Sequence, residues 1–183
     1  MNNLFKRLFT SIILLLILFI SLLYSKYLLY LALLIVMIFS YIEFTDLNKK
    51  IWKSKTIKNL ISALTICYLF FFSYTIFEFA KINDVIIFIL LICILTDIGG
   101  YSVGKVIGGK KLTKISPKKT ISGAIGSFLF SLIPLTLSLD FFSRIYNFSL
   151  IEKILFCLSI SLICQLGDLF ISFFKRKAKI KDT

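Results

Sequence analysis

Six apolar stretches, each close to the length that crosses a bilayer, follow one another with only short polar breaks, and nothing else in the chain constrains its fold as strongly. The runs are residues 8–23, 27–44, 60–79, 85–98, 121–142 and 150–173. A hydrocarbon core needs about 20 apolar residues in helical form, because backbone N–H and C=O groups deprived of water must satisfy one another within the segment. With 58% of its 183 residues hydrophobic, the chain carries more apolar surface than one water-soluble core would hide. The expectation is an all-α, polytopic membrane protein of about six transmembrane helices in a single membrane domain, residues 1–183. Residues 8–44 are nearly continuous, yet one helix of that length would run roughly 55 Å, well beyond the hydrocarbon core. Tyr24-Ser25-Lys26 is therefore read as a tight hairpin. A cleaved signal peptide is not expected, since no small-x-small site follows the first run and the second begins at once.

The charges are distributed unevenly. Lys and Arg total 22 against nine acids, a net charge of +13. With the N-terminus inside, eighteen cations fall on one face: Lys6, Arg7, five from Lys49 to Lys58, six from Lys105 to Lys119, and five from Lys175 onward. Only Lys26, Lys81, Arg144 and Lys153 fall on the other. The positive-inside rule then places both termini in the cytoplasm, in a cell (inner) membrane. So placed, the positive charge is an orientation signal and an attraction for anionic lipid and nucleotide phosphates, and no nucleic-acid partner is expected. There is no histidine, and Cys67, Cys93, Cys157 and Cys164 each lie inside an apolar run without a CxxC pair. They read as buried, inert thiols, not as a zinc site or a disulfide. Glu43, Asp46, Glu78 and Asp84 stand near helix ends where water solvates them, and Trp52 is placed to anchor at the headgroups. Residues 1–95 thus carry no nameable chemistry.

Chemistry concentrates further on. Asp97 closes the fourth apolar run and is followed by Gly100, Tyr101, Gly104 and Lys105. If this stretch is helical, the spacing puts Asp97, Gly100, Tyr101 and Gly104 on one face, and Gly100, Gly104 and Gly108 also form a small-xxx-small ladder suited to helix packing. Next comes Ser116-Pro117-Lys118-Lys119-Thr120, a short basic connection ahead of an apolar helix. Lysines supply positive charge, Ser116 and Thr120 supply hydroxyls, and a helix start offers backbone N–H groups, the ingredients of a phosphate cradle. In the last run Gln165, Asp168, Ser172 and Lys175 share one face, followed by Arg176 and Lys181. An acid at membrane depth costs roughly 2.5–3.5 kcal/mol on insertion scales, so Asp168 is expected to belong to a site.

These two blocks resemble the motifs of the phosphatidate cytidylyltransferase (CDP-diglyceride synthase) family. One family block is an Asp and Tyr-x-x-Gly-(Lys/Arg) before Ser-Pro-x-Lys-Thr-x-Glu-Gly; Asp97, Tyr101, Gly104, Lys105, Ser116, Pro117, Lys119, Thr120 and Gly123 fall on it. Gly100 stands where the family has Ala, and Ser122 where it has the acid. The other block is Gly-Asp-Leu followed by Ser-x-(hydrophobic)-Lys-Arg-x4-Lys-Asp, matched from Gly167 through Ser172, Lys175 and Arg176 to Lys181 and Asp182. Together the blocks cover residues 96–182. The family pattern continues with His-Gly-Gly and Asp-Arg-x-Asp, which do not occur in this sequence.

The resemblance implies that phosphatidate attacks the α-phosphorus of CTP, giving CDP-diacylglycerol and pyrophosphate. It implies Mg2+ as cofactor, with Asp168 and Asp97 as metal ligands and, with Lys175, as the catalytic set. Tyr101, Lys105, Ser116, Lys118, Lys119, Thr120, Ser172, Arg176 and Lys181 would bind substrate and phosphate. The expected partners are CTP, phosphatidate and the lipid bilayer, with a homodimer or a separately encoded C-terminal fragment as further partners. Because the pattern stops short, the 183-residue chain is expected to turn over poorly by itself, as a non-catalytic remnant or one half of a split enzyme. A CTP-dependent lipid kinase is the nearest catalytic alternative, and a small transporter fits less well because the acids do not cluster at the midplane.

Overall fold

The computed structural model describes Ile20 and residues 26–79, 83–113, 115–137 and 149–180. It is helical throughout, and among the described residues the sole β feature is an isolated antiparallel bridge between Lys111 and Thr120. The chain divides into two compact units, Met1–Asn83 and Asp84–Thr183.

In the first unit, α1 (Lys26–Ile51) and α2 (Lys55–Phe79) form a hairpin joined by Trp52, Lys53 and Ser54 alone. The basic loop expected around residues 49–58 is thus mostly helix: Lys49 and Lys50 close α1, where cations complement the negative end of the helix dipole, and Lys55 and Lys58 open α2. Asn48, 3% exposed, stitches the turn by donating from Nδ2 to the Lys58 carbonyl (2.9 Å) and to Ser62 Oγ (3.2 Å). Farther along, the Tyr30 and Phe77 rings stack with centroids 5.0 Å apart. No residue of α2 is buried, and Tyr68, Phe70 and Phe71 are each about two-thirds exposed. Apolar side chains on every side of a 25-residue helix are what a bilayer solvates and water does not.

The second unit holds α3 (Asn83–Ile107), α4 (Ile121–Phe130), α5 (Ile133–Leu137) and α6 (Leu150–Lys177). Its core is small: Phe88 and Ile92 of α3 meet Cys157 of α6, with Leu132, Leu135 and Ile160 packed against them. α6 starts on a capping box, Ser149 Oγ accepting from Glu152 N while Glu152 Oε2 accepts from Ser149 N at 2.7 Å.

Four described helices are long and apolar enough to cross a membrane: Tyr27–Ile51, Lys55–Phe79, Val85–Ile107 and Leu150–Lys177. They correspond to the second, third, fourth and sixth expected spans. The first expected span, but for Ile20, and the far end of the fifth lie outside the described residues. The fifth differs from expectation, because its described part is two short helices, α4 and α5, broken at Ser131 and Leu132. Pro134 is the physical reason: it has no N–H for the carbonyl of Phe130, four residues back, and its ring crowds that position.

Candidate active site

Glycine brings α3 and α4 together. A Cβ added at Gly100 would stand 2.6 Å from Ser127 Oγ, and one at Gly123 would stand 2.7 Å from the Gly100 carbonyl oxygen. The two backbones therefore touch where side chains would otherwise hold them apart. Ser127, buried on α4, donates to the Thr96 carbonyl at 2.9 Å and locks this register one residue before Asp97. Gly100 and Gly104 are packing residues, as the ladder predicts. Gly108 is not: it ends α3 at φ +64°, followed by Gly109 at φ +103°, conformations that L side chains rarely adopt. The expected common face also divides, since Gly100 and Gly104 turn to α4 while Asp97 and Tyr101 remain exposed.

The basic connection is a folded loop. Leu112 N donates to the Lys119 carbonyl (2.8 Å) and Ile121 N to the Lys110 carbonyl (3.0 Å), closing it at its base. Ser116-Pro117-Lys118-Lys119 forms a tight turn closed by Lys119 N to Ser116 O at 3.1 Å, with proline in the position its fixed φ suits. Thr120 caps α4, its Oγ1 accepting from Gly123 N at 3.1 Å. Ser122 Oγ lies 3.0 Å from Thr120 Oγ1 and donates to the Gly108 carbonyl, fastening the start of α4 to the end of α3. This corrects the phosphate-cradle expectation in part: the Thr120 hydroxyl and the N–H groups of Ile121 and Gly123 already have protein partners, because the loop uses them to hold its own shape.

The same loop reaches α6. Lys119 Nζ donates to Asp168 Oδ2 at 2.9 Å, an ion pair whose lysine side chain is 30% and aspartate 65% exposed. Asp97 interacts electrostatically with both, repelled by Asp168 and attracted by Lys119. Lys119 and Asp168 are thus sequence-selected residues that the fold pairs directly, and Asp97 lies within electrostatic range of both. Tyr101 and Lys105 form a separate pair on α3, Nζ lying 3.4 Å from the phenol oxygen and 5.5 Å from the ring centroid. Ser172 and Lys175, both half-buried, follow Asp168 by one and two turns of α6, with Arg176 exposed beside them. Ser116 and Lys118 occupy the tight turn. Gln165 points back toward the core, its Nε2 3.4 Å from buried Ser161 Oγ. α6 ends in a Schellman turn, Ile180 N donating to Lys175 O and Lys179 N to Arg176 O, both at 3.0 Å, with Lys179 at φ 56°. Lys181 lies outside the described residues.

Among the described residues no group of three or more His, Cys, Asp or Glu is placed to hold a metal ion. Asp97 and Asp168, which lie within electrostatic range of one another, are the available carboxylate donors, of a type that suits Mg2+, which commonly takes one or two carboxylates and completes its shell with substrate phosphates and water.

The cysteines are free thiols, as expected, but two of them are paired in space. Cys157 is buried, but Cys67 is exposed on α2, and Cys93 and Cys164 are half-buried with their sulfurs 3.2 Å apart. Their positions four residues before Asp97 and Asp168 were the signal in the sequence, meaningful only once the two helices are known to be neighbours.

The model of the cytidylyltransferase family matches residues 53–183. The phosphatidate cytidylyltransferase of Rickettsia typhi is 32% identical over 189 residues, covering 100% of this chain and 80% of that protein. That of Rickettsia bellii is 35% identical over 190 residues, covering 100% and 79%. One from Staphylococcus epidermidis strain RP62A is 41% identical over 102 residues, covering 54% of this chain and 37% of its own length. No solved structure matches the chain.

Proposed function

We propose that this chain, which belongs to the cytidylyltransferase family, transfers the cytidylyl group of CTP to phosphatidate, forming CDP-diacylglycerol and releasing pyrophosphate at a cell (inner) membrane. The observation that carries this reading is the ion pair of Lys119 with Asp168, which joins the basic loop to α6 within electrostatic range of Asp97 on α3.

The reaction asks for little proton chemistry. A phosphatidate oxygen is already anionic near neutral pH, so it attacks the α-phosphorus without a base, and pyrophosphate leaves without an acid. What opposes reaction is the gathering of several negative oxygens, and stabilisation comes from positioning and from preorganised positive charge. Lys118, Lys119, Lys105, Lys175, Arg176 and Lys181 hold phosphates, while Ser116, Ser172 and Tyr101 offer hydroxyls to them. Thr120 acts at one remove, setting the loop against α4. Asp97 and Asp168 would hold Mg2+, which when bound offsets phosphate charge. Lys119 joins the two halves of the site: without substrate its ammonium neutralises Asp168, and an incoming triphosphate competes for it. The half-buried stem of this lysine confines that exchange to one place.

The test is turnover of labelled CTP and phosphatidate by the chain in lipid vesicles with Mg2+, alone and with a co-expressed segment carrying His-Gly-Gly and Asp-Arg-x-Asp. CDP-diacylglycerol should form in at least one arm and fall by roughly 100-fold in Asp168→Asn, the scale for removing one transition-state electrostatic contact. No product in either arm, or full activity in Asp168→Asn, overturns the reading.

The loop should face the cytoplasm, with six spans and both termini inside, as the division of eighteen cations against four implies. A cysteine engineered at Lys53 or Lys118 should resist an impermeant thiol reagent added to intact cells. Rapid labelling from outside would invert the assignment.

A further inference from the structure

We propose that Cys93 and Cys164 are a redox-modifiable pair whose disulfide ties α3 to α6 beside the Asp97 and Asp168 carboxylates. Both are free thiols, and their sulfurs stand 3.2 Å apart although 71 residues separate them in the chain. A disulfide sets sulfur atoms about 2.05 Å apart, so about 1 Å of closure remains, within reach of side-chain rotation and a small shift of the helices. Each cysteine lies one helical turn before an acid of the candidate site, Cys93 before Asp97 and Cys164 before Asp168. The bond would therefore span the two helices one turn below the carboxylates and hold their spacing there.

The remaining thiols are not competitors. Cys157 packs in the apolar core with Phe88 and Ile92, and Cys67 belongs to α2, which has no buried residues. In the modification, two S–H bonds break and one S–S bond forms, while two protons and two electrons pass to a two-electron acceptor. Because both thiols lie in apolar helices, that acceptor is a membrane-permeant compound of the quinone class, leaving as its hydroquinone; the azo compound diamide performs the same two-electron step and leaves as a hydrazine. A dithiol reverses the bond by thiol–disulfide exchange.

The experiment reads a covalent bond and is independent of the reaction assigned to the site. The full chain in lipid vesicles is treated with diamide, unfolded, alkylated and weighed. Two of its four thiols should be protected, a linked peptide should contain Cys93 and Cys164, and dithiothreitol should restore four alkylations. The oxidised chain should also unfold at a higher temperature, since the link closes a long loop in the unfolded state. Cys93→Ser and Cys164→Ser should each abolish the protection, and Cys157→Ser should leave it. Peptide mapping of the unsubstituted chain decides the matter even if a variant fails to fold. Alkylation of all four thiols after diamide, or a link through Cys67 or Cys157, overturns the proposal.

Discussion

The two units of this chain are built from similar material, long apolar helices joined by basic connections, and they hold together by different means. All eight glycines lie in the second unit, from Gly99 onward, and none lies in the first. The α1–α2 hairpin is an association of large side chains, with Tyr30 stacked on Phe77 and a polar clasp at Asn48. In the second unit α3 and α4 meet backbone to backbone through Gly100 and Gly123, joined by the hydroxyls of Ser127 and Ser122. The candidate site belongs to the unit with the close contacts. Within a bilayer, apolar side chains gain little by leaving lipid for one another, so a fixed geometry needs close backbone packing and hydrogen bonds. The α1–α2 pair shows aromatic packing, and the helices around Asp97 add backbone contacts and hydrogen bonds.

That contrast can be broken most directly by filling a glycine contact. A Cβ at Gly126 would meet Val103 Cβ at 2.5 Å and the Gly99 carbonyl oxygen at 2.7 Å, and a carbonyl on a packed helix has little room to retreat. Gly126→Val is expected to destabilise the second unit by about 1–3 kcal/mol or more, the range for overpacking. Phe71→Ala, at a position 66% exposed on α2, should change stability by less than about 0.5 kcal/mol, as substitutions on open surface usually do. Denaturation of the two variants in mixed micelles measures both. Equal losses would erase the distinction between the units.

A smaller effect sharpens the comparison from the other side. Asn48 is the described polar clasp between α1 and α2, so Asn48→Ala should loosen the hairpin by about 1 kcal/mol, within the range of interhelical hydrogen bonds in membranes. The loss should appear as faster amide hydrogen exchange around residues 48–62 and leave the α3–α4 contact unchanged. A loss as large as that of Gly126→Val would mean that the hairpin, too, depends on a specific polar geometry.

Much of the architecture was legible in residue order. The apolar runs located α1, α2, α3 and α6, but each helix extends past its run at one end or both, α3 continuing through Gly100, Gly104 and Lys105 to Ile107. Hydropathy marks where lipid solvates a helix; backbone hydrogen bonding continues through polar residues until a glycine such as Gly108 stops it. The uniform composition of the fifth run predicts one helix, and Pro134 divides it by removing a donor. Type and spacing select Asp97, Lys119 and Asp168 along with other candidates, and of these the fold pairs Lys119 with Asp168 across the chain. Residue type and position suit Thr120 to phosphate donation, and in the fold it is a helix cap, because an extended residue ahead of a helix start can do either job with one hydroxyl and only the fold shows which neighbour it has.

Sequence alone determined that this is a chain of membrane-length helices with its motif-bearing residues, Asp97, Lys119 and Asp168 among them, in its second half, since bilayer thickness and helix rise convert apolar length into a span without reference to neighbours. The partnerships were decided by tertiary structure. Lys119 reaches Asp168 across 49 residues and Cys93 meets Cys164 across 71, distances in sequence over which no local periodicity carries information. Those pairings exist because Gly100 and Gly123 let two backbones touch and because Phe88, Ile92 and Cys157 seat α6 against α3. Close approach of backbones is a property of two surfaces at once, and neither surface can be read from one helix.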